Sequence, residues 1–431
     1  MKNRRNVALL LAFVALLGGL VTGRELWFNL AYLFALLLIV SYFWAWANIN
    51  WVHLSRVTRA RRTQVGRPLE ERFTVRNTSI IPKLWLEVRD FSSVPSHRVS
   101  QVVNNLGAKA AYSWRVTTIC TRRGRYMLGP MLLSTSDPFG FFPMERELTP
   151  TTNVVVYPMT VEIHQFSLPI GVLPGGDALR RRTHYVTTNA SGVREYAPGD
   201  SFGRIHWPST ARRDRLIVKE FELDPLADIW IVPDMASFEH YASSSPPEPI
   251  STDDIPRWIQ QKDLHPKIFE STEEYVVTAA ASLAQFFLRR DRAVGMLADA
   301  QSHEVVQPDR GERQVNRILE TLAVLRAEGR VPIANVLDAQ SSLLPRGTTV
   351  IVVTPTTSER WVGAARQQMR RGLRVVTVLV NPASFGGPRS NEGLYQLLQA
   401  TGITTYLINN GDDMTSVLSS GRQRSQSYAV A

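Results

Sequence analysis

The chain has 431 residues, 44% of them hydrophobic, a formal net charge of +11 and one cysteine. That length holds two domains beside a membrane anchor, and a single cysteine excludes a disulfide framework or a cysteine-rich zinc site. The charge does not point to nucleic acid, because residues 1–67 carry nine basic side chains against one acid, Glu25, and the rest of the chain is only slightly basic.

Val7–Gly23 is uncharged, and Leu26–Ser55 contains no Lys, Arg, Asp or Glu, with its apolar body ending near Trp46. A spanning helix needs roughly 20 apolar residues, so these two segments predict a transmembrane hairpin turning at Arg24-Glu25. Trp27, Phe28, Tyr42, Trp44 and Trp46 lie near the segment ends, where amphipathic rings favour the interface. Lys2, Arg4 and Arg5 precede the first span, and Arg56, Arg59, Arg61 and Arg62 follow the second. The positive-inside rule then puts both outer ends in the cytoplasm, with anionic lipid headgroups as the counter-charge. No A-x-A site precedes Arg24, which argues against a cleaved signal peptide. The expected location is a bacterial inner membrane, crossed twice.

From Arg67 to Pro158, short alternating runs such as Phe73/Val75, Leu84/Leu86/Val88 and Trp114/Val116 predict a small β-sandwich. Cys120 falls in this region and reads as a small buried side chain. From about Pro225 the period changes. Asp228–Pro233 reads as a buried strand and Thr272–Arg290 as a helix, with Ser271 and Glu274 spaced as a capping box. Strands at 293–298, 349–354, 374–380 and 403–407 then alternate with helices at 312–326, 358–371 and 391–401. This pattern predicts an α/β domain with a mostly parallel sheet, whose ligands would bind beyond the carboxyl ends of the strands, near Asp234. The expected organisation is a hairpin at 1–55, a sandwich at 56–165, a charged junction at 166–224 and an α/β domain at 225–420. That last domain carries a loop insertion at 240–270, and a disordered tail fills 421–431.

The junction holds a dense run from Arg194 to Glu222, with Pro198-Gly199 suited to a type II turn and Leu216–Phe221 alternating as a strand. Arg194, Tyr196, Gly199, Asp200, Arg204, His206, Trp207, Arg212 and Glu220 are its candidate binding or structural residues. Arg122–Pro130 (RRGRYMLGP) and Asp137-Pro138-Phe139-Gly140 form two further motif blocks. In these blocks and in its two spans the chain resembles the family catalogued as domain of unknown function 58. The resemblance implies a membrane-anchored protein with a von Willebrand factor A-like domain. The implied partner is a MoxR-type AAA+ ATPase, with a transglutaminase-like membrane protein as a further one. A von Willebrand metal site needs D-x-S-x-S, whereas here Ala236 and Phe238 stand where two hydroxyls belong, in the run Asp234-Met-Ala-Ser237-Phe. No cofactor is therefore expected, and Asp234 with Ser237 is a weak candidate for Mg²⁺.

No phosphate loop, dinucleotide fingerprint, H-E-x-x-H or G-x-S-x-G motif occurs. The expectation is a non-enzymatic anchored adaptor that binds lipid and protein but no nucleic acid. The alternative is a metal-dependent or acid–base enzyme using Asp234 or the Asp200/His206 region.

Overall fold

A computed structural model describes residues 2–148, 151–168, 190–196, 205–213, 215–221, 228–242 and 270–419. Gly199, Asp200, Arg204, most of the expected insertion and the tail lie outside these residues. The described chain forms two compact units.

The first unit begins with helices α1 (Lys2–Thr22) and α2 (Glu25–Ile49). Gly23 turns the chain between them at φ +65°, a left-handed conformation that glycine adopts without strain. Gly18 and Gly19 let the helices close, since an added Cβ would meet the Trp27 ring at 2.9 Å and the Phe28 ring at 3.1 Å. Both helices are long and apolar enough to cross a membrane, and only 17% and 11% of their apolar windows are buried. A soluble core helix would bury most of that surface.

Ten strands follow: β1 (Val52–Thr58), β2 (Arg62–Gln64), β3 (Pro68–Asn77), β4 (Lys83–Asp90), β5 (Gln101–Leu106), β6 (Ala111–Ile119), β7 (Gly124–Leu128), β8 (Met131–Thr135), β9 (Met144–Leu148) and β10 (Thr152–Tyr157). They pair as β1-β3-β6, β2-β10-β7 and β5-β4-β8-β9. Val52 and Val75 meet Leu86, Val88, Val103 and Leu133 in a core shared by the first and third sheets. The period-2 pattern of β3 buries Leu69, Glu71, Phe73 and Val75 on one face; Val75 joins that core, and Leu69 and Phe73 enter two further clusters. Cys120 is buried, which pushes its thiol up to about 12. Arg123 is also buried, and its guanidinium donates to the Leu322 and Leu325 carbonyls in segment Leu319–Leu325 of the same unit.

Arg56 departs from its expected role beside lipid headgroups. Its side chain is buried, with ion pairs to Glu71 at 2.9 Å and Asp90 at 3.1 Å. His97 faces the same carboxylates, at 2.8 Å from Glu71, and its Nδ1 lies 2.8 Å from the Thr118 hydroxyl. The reason is pairing register: β1 runs antiparallel to β3, which brings Arg56 diagonally across from Glu71. Burial alone would raise the Glu71 carboxyl. Hydrogen bonds from His97, Arg56 and Thr58, with the Arg56 charge, hold it down at about 2.

The second unit contains β11 (Ala190–Glu195), α3 (Trp207–Arg213), β12 (Ile217–Phe221) and β13 (Ile229–Pro233), then α4 (Thr272–Leu288), β14 (Val294–Asp299), β15 (His303–Asp309) and the start of α5 (Gly311–Val324), whose residues from Leu319 on belong to the first unit. It continues through α6 (Ile333–Ala339), β16 (Thr349–Thr354), α7 (Arg360–Arg370), β17 (Arg374–Val380), α8 (Glu392–Ala400), β18 (Thr404–Ile408) and α9 (Met414–Ser419). A six-stranded sheet runs β15-β14-β13-β16-β17-β18, parallel except at the β14–β15 edge. Trp230, Val232, Val350 and Val352 project from one face into a cluster with Leu337, Trp361 and Leu398. Helix α4 packs against β13 and β16 and buries Val276, Ala280, Leu283 and Phe287. Ser271 caps α4 by accepting from the Glu273 amide at 3.2 Å, one residue earlier than the expected Glu274.

Candidate functional site

The strand order reverses between β13 and β16, and the crevice beyond the carboxyl ends at such a point is where α/β sheets place ligands. Asp234 follows β13 there, and Thr354 ends β16. Asp234 is buried. The Thr354 hydroxyl donates to its Oδ2 at 2.6 Å, and the Ala236 amide donates to its Oδ1 at 3.1 Å. The Thr356 hydroxyl donates to Glu239 at 3.0 Å, which sets a second carboxyl beside the first. His240 donates through Nε2 to the Asp234 carbonyl at 2.9 Å, and its Nδ1 lies 3.0 Å from the Thr272 hydroxyl.

Burial pushes the Asp234 carboxyl up to about 7, against the pull of the Thr354 and Ala236 hydrogen bonds; the Glu239 charge adds to the rise. Burial also raises Glu239. Asp234 thus has a neutral form accessible near physiological pH. The Mg²⁺ for which Asp234 and Ser237 were candidates does not fit this donor set. A hard cation needs several oxygen ligands. Ala236 contributes an N–H aimed at the carboxylate, and the exposed Ser237 has its amide engaged by the Gly329 carbonyl at 2.9 Å. Among the described residues, no group of three or more His, Cys, Asp or Glu side chains is placed to hold a metal.

Glu239, His240, Thr272, Thr354, Thr356 and Gly329 complete this corner and were not singled out from the sequence. Gly329 pairs with Ala236 as an isolated parallel bridge. A Cβ on it would come within 2.3 Å of the Asp299 carbonyl oxygen and 2.9 Å of the Met235 oxygen. Gly329→Ala should therefore destabilise the protein by about 2 kcal/mol, because backbone has to move. A thermal melt of the variant checks this, and an unchanged midpoint would mean that the loop yields freely.

The junction run forms a separate module. Strands β11 and β12 pair antiparallel. Tyr196 donates from its amide to the Leu216 carbonyl at 2.9 Å, and His206 to the Ile217 carbonyl at 2.8 Å. Ile205, Ile217 and Val218 are buried beneath. His206 precedes α3, and its Nδ1 lies 2.7 Å from the Ser209 hydroxyl, a local helix-start contact. Trp207, by contrast, is 65% exposed, and Arg212 is exposed on the same short helix. Arg194 and Glu220 take their places in β11 and β12, whereas Gly199, Asp200 and Arg204 lie outside the described residues. The described part of the candidate set therefore shares a hairpin and helix, and it does not include Asp234.

The family described as Protein of unknown function DUF58 matches residues 192–247. The uncharacterized protein YeaD of Bacillus subtilis (strain 168) is 21% identical over 215 residues, covering 49% of this chain and 45% of that protein. Among solved structures, the CARDB domain of PF1109 from Pyrococcus furiosus, in complex with di-metal ions, is 18% identical. It covers 24% of this chain and 91% of its own, with a TM-score of 0.19. A beta-glucosidase from Listeria innocua in complex with isofagomine is 13% identical over 24% of this chain and 16% of its own, with a TM-score of 0.18. Likeness at these scores does not define a shared fold. The family model thus matches a segment that includes α3, β12 and Asp234, and the Bacillus relative is similar to about half of this chain.

Proposed function

We propose that the chain is a membrane-anchored, non-enzymatic adaptor whose second unit presents helix α3 and the β11–β12 hairpin to a protein partner. The observation that carries this reading is the solvent-facing Trp207, on a helix fastened to a paired hairpin, with exposed Arg212 beside it. A large aromatic and an arginine on a rigid support are the residue types that dominate protein–protein binding energy. Phe238, 51% exposed, adds apolar surface within the same matched segment. The family resemblance names a MoxR-type AAA+ ATPase as the partner, and the basic flanks of the two apolar helices favour a bulk in the bacterial cytoplasm. A transglutaminase-like membrane protein is a further candidate. The strand order, with one antiparallel edge, supports a von Willebrand factor A-like reading of the six-stranded sheet.

The test is affinity capture of the full-length protein from detergent-solubilised native membranes. Wild type should recover an AAA+ ATPase, and Trp207→Ala should lower the recovery at least tenfold, the scale of a hot-spot truncation of about 2 kcal/mol. Capture that never yields such an ATPase, or that Trp207→Ala leaves unchanged at equal abundance, overturns the reading.

A second reading rests on one observation, the buried Asp234 carboxyl near neutrality at the strand-order reversal, which suits acid–base chemistry. It requires Asp234→Asn to abolish the cellular phenotype while the protein remains folded and abundant.

A further inference from the structure

Between α1 and α2 runs a cleft of about 370 Å³ lined by Val7, Leu11, Phe34, Leu37 and Phe141, with Arg4 at its end. The wall is almost wholly apolar, and Arg4 is its cation. Arg4 lies one helical turn before Val7 on α1, so the groove runs from a positive charge towards the middle of the hairpin. Phe141 comes from the loop Asp137–Phe142. That loop is braced by Asp137, whose carboxylate accepts from the Phe139 amide at 3.0 Å and the Phe142 amide at 2.7 Å. Gly140 sits at φ +75°, and a Cβ there would lie 3.8 Å from the Arg4 guanidinium, so the loop passes directly over Arg4.

The depth of this site follows from α2. Leu26–Val40 reaches about 22 Å at 1.5 Å per residue, short of the roughly 30 Å of bilayer hydrocarbon. Beyond Val40 one side of the helix is already covered, with Ser41, Ala45, Asn48 and Ile49 buried. Lys83 fastens that end by donating to the Ala47 carbonyl. The opposite side still shows Tyr42, Phe43, Trp44 and Trp46 to the outside. Rings in that position belong to the membrane interface. Phe142 meets Tyr42 edge-on, with ring centroids 5.6 Å apart, so the loop stands at that level. Phe139 is 51% exposed and stacks on Phe141 at 5.5 Å.

We propose that the hairpin and the Asp137–Phe142 loop form a binding site for an anionic glycerophospholipid. Its phosphate pairs with Arg4, one acyl chain lies in the groove against Phe141, and Phe139 dips among neighbouring lipids. The site needs only that the two helices span a membrane, and it stands or falls independently of any protein partner.

Native mass spectrometry of the full-length protein from mixed micelles of phosphatidylglycerol and phosphatidylcholine tests it. Wild type should retain phosphatidylglycerol in preference. Arg4→Gln should cut that retention about fivefold, the weight of one basic residue at a lipid surface. Phe141→Ser should reduce retention of both lipids. A second measurement is independent of retention: Phe139→Cys, labelled with bimane in phosphatidylcholine vesicles, should be quenched by brominated acyl chains, since the native Cys120 is buried. Unchanged phosphatidylglycerol retention in both Arg4→Gln and Phe141→Ser, or a bimane label that reports water and escapes quenching, overturns the proposal.

Discussion

Arg56→Ala should cost the first unit about 3–5 kcal/mol, the largest single-residue effect expected outside the apolar core. The Arg56 guanidinium is held by Glu71 and Asp90, donates to the Ser92 hydroxyl at 3.0 Å and lies 5.1 Å over the Phe73 ring. Its removal leaves two buried carboxylates facing each other with only His97 between them. The same network sets a pH dependence. Glu71 is depressed from 4.5 to about 2, so its contribution is fully present above about pH 4.5 and is lost as pH falls towards 2. Its size is about 3 kcal/mol, from 1.36 kcal/mol per pKa unit. Urea unfolding of the detergent-solubilised protein at pH 7 checks the first claim, and a series down to pH 3 checks the second. Arg56→Ala combined with Glu71→Ala should cost clearly less than the two single losses added, because the pair acts as one unit. A single-variant loss below about 1 kcal/mol would put this cluster on the scale of exposed ion pairs and refute the network.

Asp234→Asn should stabilise the protein at pH 8, by up to about 4 kcal/mol. Above pH 7 the wild-type carboxylate is ionised in a buried site that holds it through a hydroxyl and one amide. Its folded pKa of about 7 lies above the ordinary value of 3.8, so the native state binds the extra proton between those pH values. Stability from this group is therefore present below about pH 4 and falls as pH rises to 7. The amide of asparagine keeps an oxygen for the Ala236 N–H and carries no charge to bury. At pH 4 the gap between variant and wild type should close. Thermal melts across pH 4–8, with and without Mg²⁺, read this directly. A Mg²⁺-dependent rise in the wild-type midpoint that Asp234→Asn removes would instead mark Asp234 as a metal ligand, despite the misfit of its neighbours.

Much of the secondary structure was legible because its signals are local. Two long uncharged apolar runs sufficed for the hairpin, and unbroken apolar runs for β16 and β17, whose six and seven residues are buried or nearly so. Gly402, at φ +74° just after α8, ends that helix where glycine at such a position predicts. The edge strand β15 escaped notice because only Val306 of its seven residues is buried, which leaves almost no alternation to read. Helices α6 and α9, of seven and six residues, are too short for a 3.6-residue period to emerge.

The Asp234 corner was half legible. Asp234 could be placed from the end of its strand, and the loss of the hydroxyl pattern could be read at Ala236 and Phe238. Its partners could not. Thr354 lies 120 residues away and Gly329 nearly as far, and each reaches Asp234 or its loop only through parallel pairing of β13 with β16 and the close backbone approach at Ala236. Arg56 teaches the same lesson in the opposite direction. Its position after an apolar span made it read as a headgroup partner, and strand register buried it instead.

By itself, then, the sequence determined what depends on neighbours along the chain: apolar length, charge asymmetry, strand and helix period, and the missing metal motif. Only the tertiary structure decided which charges are buried, which carboxyl keeps its proton near neutrality and which aromatic rings stay outside. Desolvation and hydrogen bonding act through space, and they depend on contacts that chain order does not specify.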